Sequence, residues 1–180
     1  IPDGTNRQHA DEVTYVSIGD GATSEGEFWE SLNTACTQPV PVLYLVEDNG
    51  YAISVPVDAQ TPGGSISKLV ENFPNLKVLR CDGTDYFDSY RTIDEAVQWI
   101  RRERKPALVH ATVTRPYSHS LSDDERLYKT PEEREAEAAR DPILKLRTHL
   151  LARGLATEAE LLELAADVDR EIARATDQAI

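Results

Sequence analysis

The chain has 180 residues, 40% of them hydrophobic and 28% charged, with a formal net charge of −13. Those proportions fit one soluble domain of ordinary size. The acidity speaks against a nucleic-acid surface, and no run approaches the roughly 18 apolar residues that a membrane span needs.

The chain starts at Ile1 and holds no methionine. It is therefore read as a processed chain or a piece of a longer one. Ile1 to Asn6 carry neither a basic stretch nor an apolar core, so no signal peptide is predicted there. Val13 to Ile18 is rich in β-branched and aromatic residues and predicts a strand. Gly19-Asp20-Gly21 ends it. Ser24 and Glu27 have capping-box spacing and are expected to open a helix running to about Thr37. The apolar run Val42 to Val46 reads as a strand buried on both faces. Asp48-Asn49-Gly50 breaks it. A short helix near Ser67 to Asn72 and a strand at Leu76 to Arg80 follow. An amphipathic helix is expected over Tyr86 to Arg104, with Ile93, Ala96, Val97 and Ile100 on one face. The basic cluster Arg101 to Lys105 falls in its last turn, where the helix dipole favours cations. Ala107 to Val113 is a fourth strand. Arg115 to Thr130 is polar and without usable period, which reads as a functional loop.

Two or three helices close the chain. Asp141-Pro142 is an N-cap and N1 pair, Gly154 the matching residue after a helix end, and Thr157 to Glu160 another capping box. Leu161, Leu164, Val168, Ile172, Ala175 and Ala179 form one apolar stripe that needs a surface to pack against. Cys36 and Cys81 are unaccompanied and read as buried thiols. Alternation of strands and helices predicts an α/β fold with a parallel doubly wound sheet.

Chemistry concentrates at two turns. Gly19-Asp20-Gly21 lies at the carboxyl end of the first strand, where open α/β sheets bind ligands. Glycines let the backbone approach a phosphate, and a helix N-terminus offers N–H groups to it. A carboxylate beside a phosphate is repulsive unless a cation lies between them, so Asp20 suggests a bridging divalent metal. Asn49 follows the second strand, one βαβ unit later and at the same sheet edge. Its amide oxygen and the Asp20 carboxylate are hard donors suited to magnesium.

Gly-Asp-Gly, a spacer of just under thirty residues and an Asn-containing turn resemble the signature of thiamine-diphosphate enzymes. Gly19 to Phe28 and Glu47 to Ser54 resemble, more narrowly, the alpha subunit of the decarboxylating first component of 2-oxo acid dehydrogenase complexes, of the pyruvate and branched-chain types. Arg115-Pro116-Tyr117-Ser118-His119-Ser120-Leu121-Ser122-Asp123-Asp124 resembles the histidine-bearing loop of that subunit, and Arg140 to Ile143 with the later helices also fits. The resemblance implies the thiamine-diphosphate-binding fold, truncated, with a C-terminal helical extension. Residues 1–114 would be the diphosphate and magnesium part, 115–130 the active-site loop and 131–180 the C-terminal helices.

The resemblance also implies thiamine diphosphate and Mg²⁺ as cofactors. Asp20, the Asn49 side chain and the Tyr51 carbonyl would hold the metal; Gly21, Ala22, Ala52 and Ile53 would contact the cofactor. His119 would stand near the reacting centre, orienting the cofactor and steering the acyl intermediate. His9, His110 and His149 match no functional motif and are read as structural or solvent-facing. Ser120 and Ser122 are taken only as loop hydroxyls. One residue departs from the family pattern. The turn usually carries two asparagines, and the first is Asp48 here. An extra anion weakens cofactor binding unless it points away or pairs with a cation; transketolases, of the same superfamily, carry Asp-Asn-Gly at this turn, so metal binding stays expected.

The implied activity is oxidative decarboxylation of a 2-oxo acid with acyl transfer to lipoyl groups. The implied partners are a beta subunit or beta-like domain and a lipoyl acyltransferase, within an oligomer. The expected location is a bacterial-type cytoplasm, with the mitochondrial matrix left open. An acetoin-dehydrogenase-like or transketolase-like enzyme is the nearest alternative. A flavodoxin-like magnesium-binding domain without catalysis is a further one. The His119 loop favours the dehydrogenase over transketolase, and the split of metal candidates between Asp20 and Asn49 favours diphosphate binding. Family alpha subunits are about twice this length, so an exposed apolar sheet edge is expected.

Overall fold

The computed structural model describes residues 11–179. The opening residues read for a signal peptide, and His9, lie outside them. The described residues divide into two compact units between Asp141 and Pro142.

The first unit is built on strand β1 (Thr14–Gly19), a single 3₁₀ turn (Gly21–Ser24), helix α1 (Gly26–Thr37) and strand β2 (Val42–Asp48). A small hairpin follows, β3 (Tyr51–Ala52) with β4 (Val55–Pro56), then short helices α2 (Val57–Gln60) and α3 (Ile66–Val70). Strand β5 (Lys77–Asp82), helix α4 (Tyr86–Glu103) and strand β6 (Ala107–Thr112) complete the sheet. Helix α5 (Pro131–Ala138) lies beyond the polar loop. The sheet order is β1-β2-β6-β5, parallel throughout. This is the expected α/β fold.

The apolar run of β2 earns its central place because both of its faces are covered. Val42, Tyr44 and Val46 point to a cluster with Phe28, Leu32, Ala35 and Cys36 of α1 and Ile66 and Val70 of α3. Leu43 and Leu45 point the other way, to Ala96 and Ile100 of α4 and Ala107, Val109 and Ala111 of β6. The buried residues of α1 recur at three- and four-residue steps, the stripe a sheet-packed helix needs. Both cysteines are buried and free, and burial pushes both thiols up.

Helix α4 is fixed at both ends. The Asp85 carboxylate accepts from the Phe87 and Asp88 N–H groups, both at 2.9 Å. Arg104 closes the helix in the left-handed region at φ 52°, and Arg101 and Arg102 occupy the last turn as expected. The start of α1 differs from expectation. Glu25 is its N-cap and no side chain caps it. Ser24 is held instead in the 3₁₀ turn, which the Thr23 hydroxyl closes by donating to the Asp20 carbonyl at 2.6 Å.

In the second unit, α6 (Pro142–Ala152) and α7 (Glu158–Ala179) are joined by a tight connection. Gly154, at φ 63°, donates to the Leu151 carbonyl and Leu155 to the Leu150 carbonyl, the paired bonds of a Schellman ending. Thr157 and Glu160 exchange capping-box bonds. Leu164, Val168 and Ile172 of the predicted stripe are exposed. At the sheet, β1 is an edge strand, and Tyr15 on it is 58% exposed. No helix among the described residues is long and apolar enough to cross a membrane.

Candidate functional site

Parallel pairing aligns the carboxyl ends of three strands. Gly19 of β1 stands beside Glu47 of β2, which stands beside Ala111 of β6. The chain leaves β1 at Gly19 and turns at once, which drops Asp20 into the floor of that edge. It is 1% exposed. One carboxylate oxygen accepts from Gln60 Nε2 at 2.9 Å, and the other from the Asn49 N–H at a long 3.4 Å. Burial, and then the charge of Asp48, hold this carboxyl above the usual carboxylate range. Both donors are neutral. A buried carboxylate with only neutral partners is an unbalanced charge, the condition that a divalent cation relieves.

The second turn is organised by its own side chains. Asp48 Oδ1 accepts from the Gly50 N–H at 2.8 Å, and Asn49 Oδ1 accepts from the Tyr51 N–H at 3.1 Å. Gly50 supplies the positive φ that the turn requires, at 84°. The β3–β4 hairpin then folds Ala52 back against Gly21, where an added Cβ would stand 2.8 Å from the Ala52 Cβ. Asp20, Gly21, Asn49, Tyr51 and Ala52 are thus brought together. Ala22 is exposed on the 3₁₀ turn beside them, and Ile53 is exposed at the hairpin tip at φ 57°. Asp48, the residue that departs from the family pattern, is buried and paired, with Oδ2 2.7 Å from His110 Nε2.

His119 joins the cluster indirectly. Its N–H donates to Asp123 Oδ2 at 2.8 Å, and the Tyr128 hydroxyl donates to the same oxygen at 2.6 Å. Arg115 in turn donates to the Tyr128 oxygen at 2.7 Å and to the Ile53 carbonyl at 2.9 Å. Its guanidinium lies over both the Tyr51 and Tyr128 rings. So the loop is tied to the hairpin through Arg115 while the His119 side chain stays exposed. The Tyr128 bond, and then the His119 N–H, hold the Asp123 carboxyl below its usual range. Partial burial and then Asp123 push the Tyr128 phenol up to about 12. Beneath Tyr51, Lys129 is buried with Glu137 Oε2 at 2.5 Å and Glu125 Oε2 at 3.5 Å. Ser120 and Ser122 face each other at 3.2 Å on the exposed part of the loop.

The donor set suits a hard cation. Among the described residues, no three His, Cys, Asp or Glu side chains converge to hold a metal by themselves. An ion beside Asp20 would therefore draw on amide and carbonyl oxygens and on its ligand, a set that magnesium accepts.

Several of these residues escaped sequence reasoning. Gln60 belongs to no motif, and its four-residue helix gives no periodic signal. His110, expected to be structural or solvent-facing, is buried, 7% exposed. His149 falls in the last turn of α6. Arg115 and Tyr128 lie in the loop that carried the resemblance, but only the fold shows that they fasten it.

The family model described as "Dehydrogenase E1 component" matches residues 4–180. The 3-methyl-2-oxobutanoate dehydrogenase subunit alpha of Mycobacterium tuberculosis is 35% identical over 167 residues, covering 86% of this chain and 45% of that protein. The pyruvate dehydrogenase E1 component subunit alpha of Mycoplasma pneumoniae is 34% identical over 163 residues, covering 89% and 44%. The 2-oxoisovalerate dehydrogenase subunit alpha of Bacillus subtilis is 30% identical over 169 residues, covering 94% and 51%. The chain spans about half the length of the curated relatives it matches.

Proposed function

The chain belongs to the family of dehydrogenase E1 components, and on that premise we propose that it supplies the metal–diphosphate half of a thiamine-diphosphate site. The reaction would be oxidative decarboxylation of a 2-oxo acid with acyl transfer to lipoyl groups. The observation that carries this reading is the buried Asp20 carboxylate, held by neutral donors beside the Asn49 turn. Asp20, the Asn49 side chain and the Tyr51 carbonyl would hold Mg²⁺, and Gly21 and Ala22 would offer N–H groups to the diphosphate. Ala52 and Ile53 would border the cofactor on the hairpin.

When bound, thiamine diphosphate supplies the electron sink for loss of CO₂. The chain's own task is placement. The Asp20 turn and the Asn49 turn would hold one end of the cofactor, and the Arg115–Tyr128–Asp123 tie holds the His119 loop at the hairpin. His119 would orient the cofactor at the reacting centre and steer the acyl intermediate. In functional terms, residues 1–114 form the metal–diphosphate part, 115–130 the active-site loop and 131–180 the C-terminal helices. A beta subunit or beta-like domain would complete the site, a lipoyl acyltransferase would take the acyl group, and the assembly would be an oligomer in a bacterial-type cytoplasm. Relatives are named for pyruvate and for branched-chain 2-oxo acids, so both substrates belong in the assay.

The test uses the complete enzyme, the full-length alpha chain with its beta partner. Calorimetry with Mg²⁺ should show that Asp20→Ala abolishes metal-dependent binding of thiamine diphosphate. Unchanged affinity would remove Asp20 from the site. His119→Ala should keep fold and cofactor affinity while turnover with a lipoyl acceptor falls about 100-fold. A near-normal rate would count against that role.

A further inference from the structure

We propose that His110 is a positioning residue for the metal turn, holding Asp48 so that Asn49 and Tyr51 present their oxygens to a divalent cation. This rests on the reading of Asp20 and Asn49 given above. Asp48 is the last residue of β2 and directly precedes the proposed ligand Asn49. Every polar group it owns toward the fold is spoken for. Its carbonyl accepts from the Val113 N–H at 2.8 Å, Oδ1 accepts from the Gly50 N–H at 2.8 Å, and Oδ2 faces His110 Nε2 at 2.7 Å. Asp48 is 9% exposed and acts on Asp20 by its charge. Released from His110, the same carboxylate would keep only its Gly50 bond, leaving Oδ2 unpaired near the proposed diphosphate site, where an anion opposes binding.

His110 is itself held. Register on β6 sets it beside Val46 of β2 on one side and Arg80 of β5 on the other. Its Nδ1 lies 2.8 Å from Ser67 Oγ, and Arg80 Nε donates to that oxygen at 2.7 Å. Ser67, on α3, is fully buried. Arginine only donates and a carboxylate only accepts, which sets the direction at the two ends. Arg80 donates to Ser67, whose hydroxyl lies beside His110 Nδ1 and 3.3 Å from Ser65 Oγ, and His110 Nε2–H donates to Asp48. The series crosses three strands, β5 to β6 to β2, and ends on the residue before the metal turn. At its outer end Arg80 pairs with Glu71 at 3.3 Å on the surface. Such aligned bonds reinforce one another and rigidify what they end on.

The experiment again uses the complete enzyme. Mn²⁺ replaces Mg²⁺ so that the bound metal is read by electron paramagnetic resonance, and thiamine diphosphate affinity is measured by calorimetry. Thermal unfolding reports the fold. His110→Ala should weaken metal-dependent cofactor binding at least tenfold and alter the Mn²⁺ spectrum. His110→Gln, which keeps an N–H donor near the place of Nε2, should recover affinity to within threefold. Ser67→Ala, which keeps the volume and loosens the imidazole, should fall between. The proposal is overturned if folded His110→Ala binds as the wild type does, or if His110→Gln recovers nothing that His110→Ala loses. Should His110→Ala not fold, wild-type affinity in Ser67→Ala overturns it. Asp20→Ala in the same assay separates the two ideas. Full binding in Asp20→Ala means the site reading fails and this inference with it. Loss in Asp20→Ala with full binding in His110→Ala overturns the His110 role alone.

Discussion

Gly21 and Gly26 flank the same turn and make opposite demands on a methyl group. A Cβ on Gly21 would stand 2.8 Å from the Ala52 Cβ and 3.4 Å from its Cα, so the hairpin would have to retreat. A Cβ on Gly26, in the first turn of α1, meets nothing within 4 Å. Gly21→Ala should therefore cost about 1–3 kcal/mol as an overpacked contact, and it should weaken cofactor affinity because Ala52 carries the hairpin. Gly26→Ala should be neutral or stabilise by up to about 1 kcal/mol, because it removes freedom from the unfolded chain. Paired thermal unfolding curves check this, with opposite shifts expected; an unmoved midpoint for Gly21→Ala would refute the tight contact. The glycine was legible in the sequence as a phosphate turn. Its second reason was not, because Ala52 lies far along the chain and meets it only once the hairpin forms. Asp48 teaches the same point. The sequence exposed the odd carboxylate, but its partner His110 became a neighbour only through β6 entering the sheet beside β2.

At the scale of elements, helix α4 shows what local pattern can specify. Its period, its Asp85 start and its basic last turn are all written in adjacent residues. The ends can be tested separately. Asp85→Ala removes two N-cap bonds and should cost about 1 kcal/mol. Arg104→Gly relieves a left-handed residue with a side chain, worth about 1 kcal/mol, and gives back part of that by losing its 3.0 Å bond to the Glu12 carbonyl. Denaturant unfolding should show a lower midpoint for the first variant and an equal or higher one for the second; a lower midpoint for both would mean that the Glu12 bond dominates. The β3–β4 hairpin escaped pattern reading for a physical reason. Two-residue strands have no period, and its positive-φ corner is Ile53, a β-branched residue where turn chemistry favours Gly or Asn. The corner survives because Arg115 grips the Ile53 carbonyl from the loop. Helix α5 starts on a Thr130–Glu133 capping box, a local signal hidden at the end of a polar stretch without period.

For the whole molecule, the strand order decides how much of a ligand this chain can cover. Alternation of strands and helices predicts a parallel sheet, but adjacency depends on long-range packing, and it places β1 at an edge. The Asp20 turn leaves that edge strand, so the described residues wall the proposed diphosphate site from β2, the hairpin and the loop, and not from the outer side of β1. Cofactor sites ordinarily bury about 70–90% of their ligand. A one-sided site also carries the cost of gathering an anionic diphosphate onto a chain of net charge −13, beside the buried Asp20. The metal offsets that cost only where its ligand oxygens are already held in place. It follows that the 180-residue chain by itself should bind thiamine diphosphate weakly, only with Mg²⁺ present, and should not decarboxylate pyruvate or 3-methyl-2-oxobutanoate. The full-length alpha chain assembled with its beta partner should raise affinity and start turnover together, since the remaining walls and catalytic groups would then be in place. Calorimetry on the chain alone is the decisive measurement: a dissociation constant of about a micromolar, roughly −8 kcal/mol, would show that one side of the cleft suffices and that β1 does not need a neighbour for the site to form.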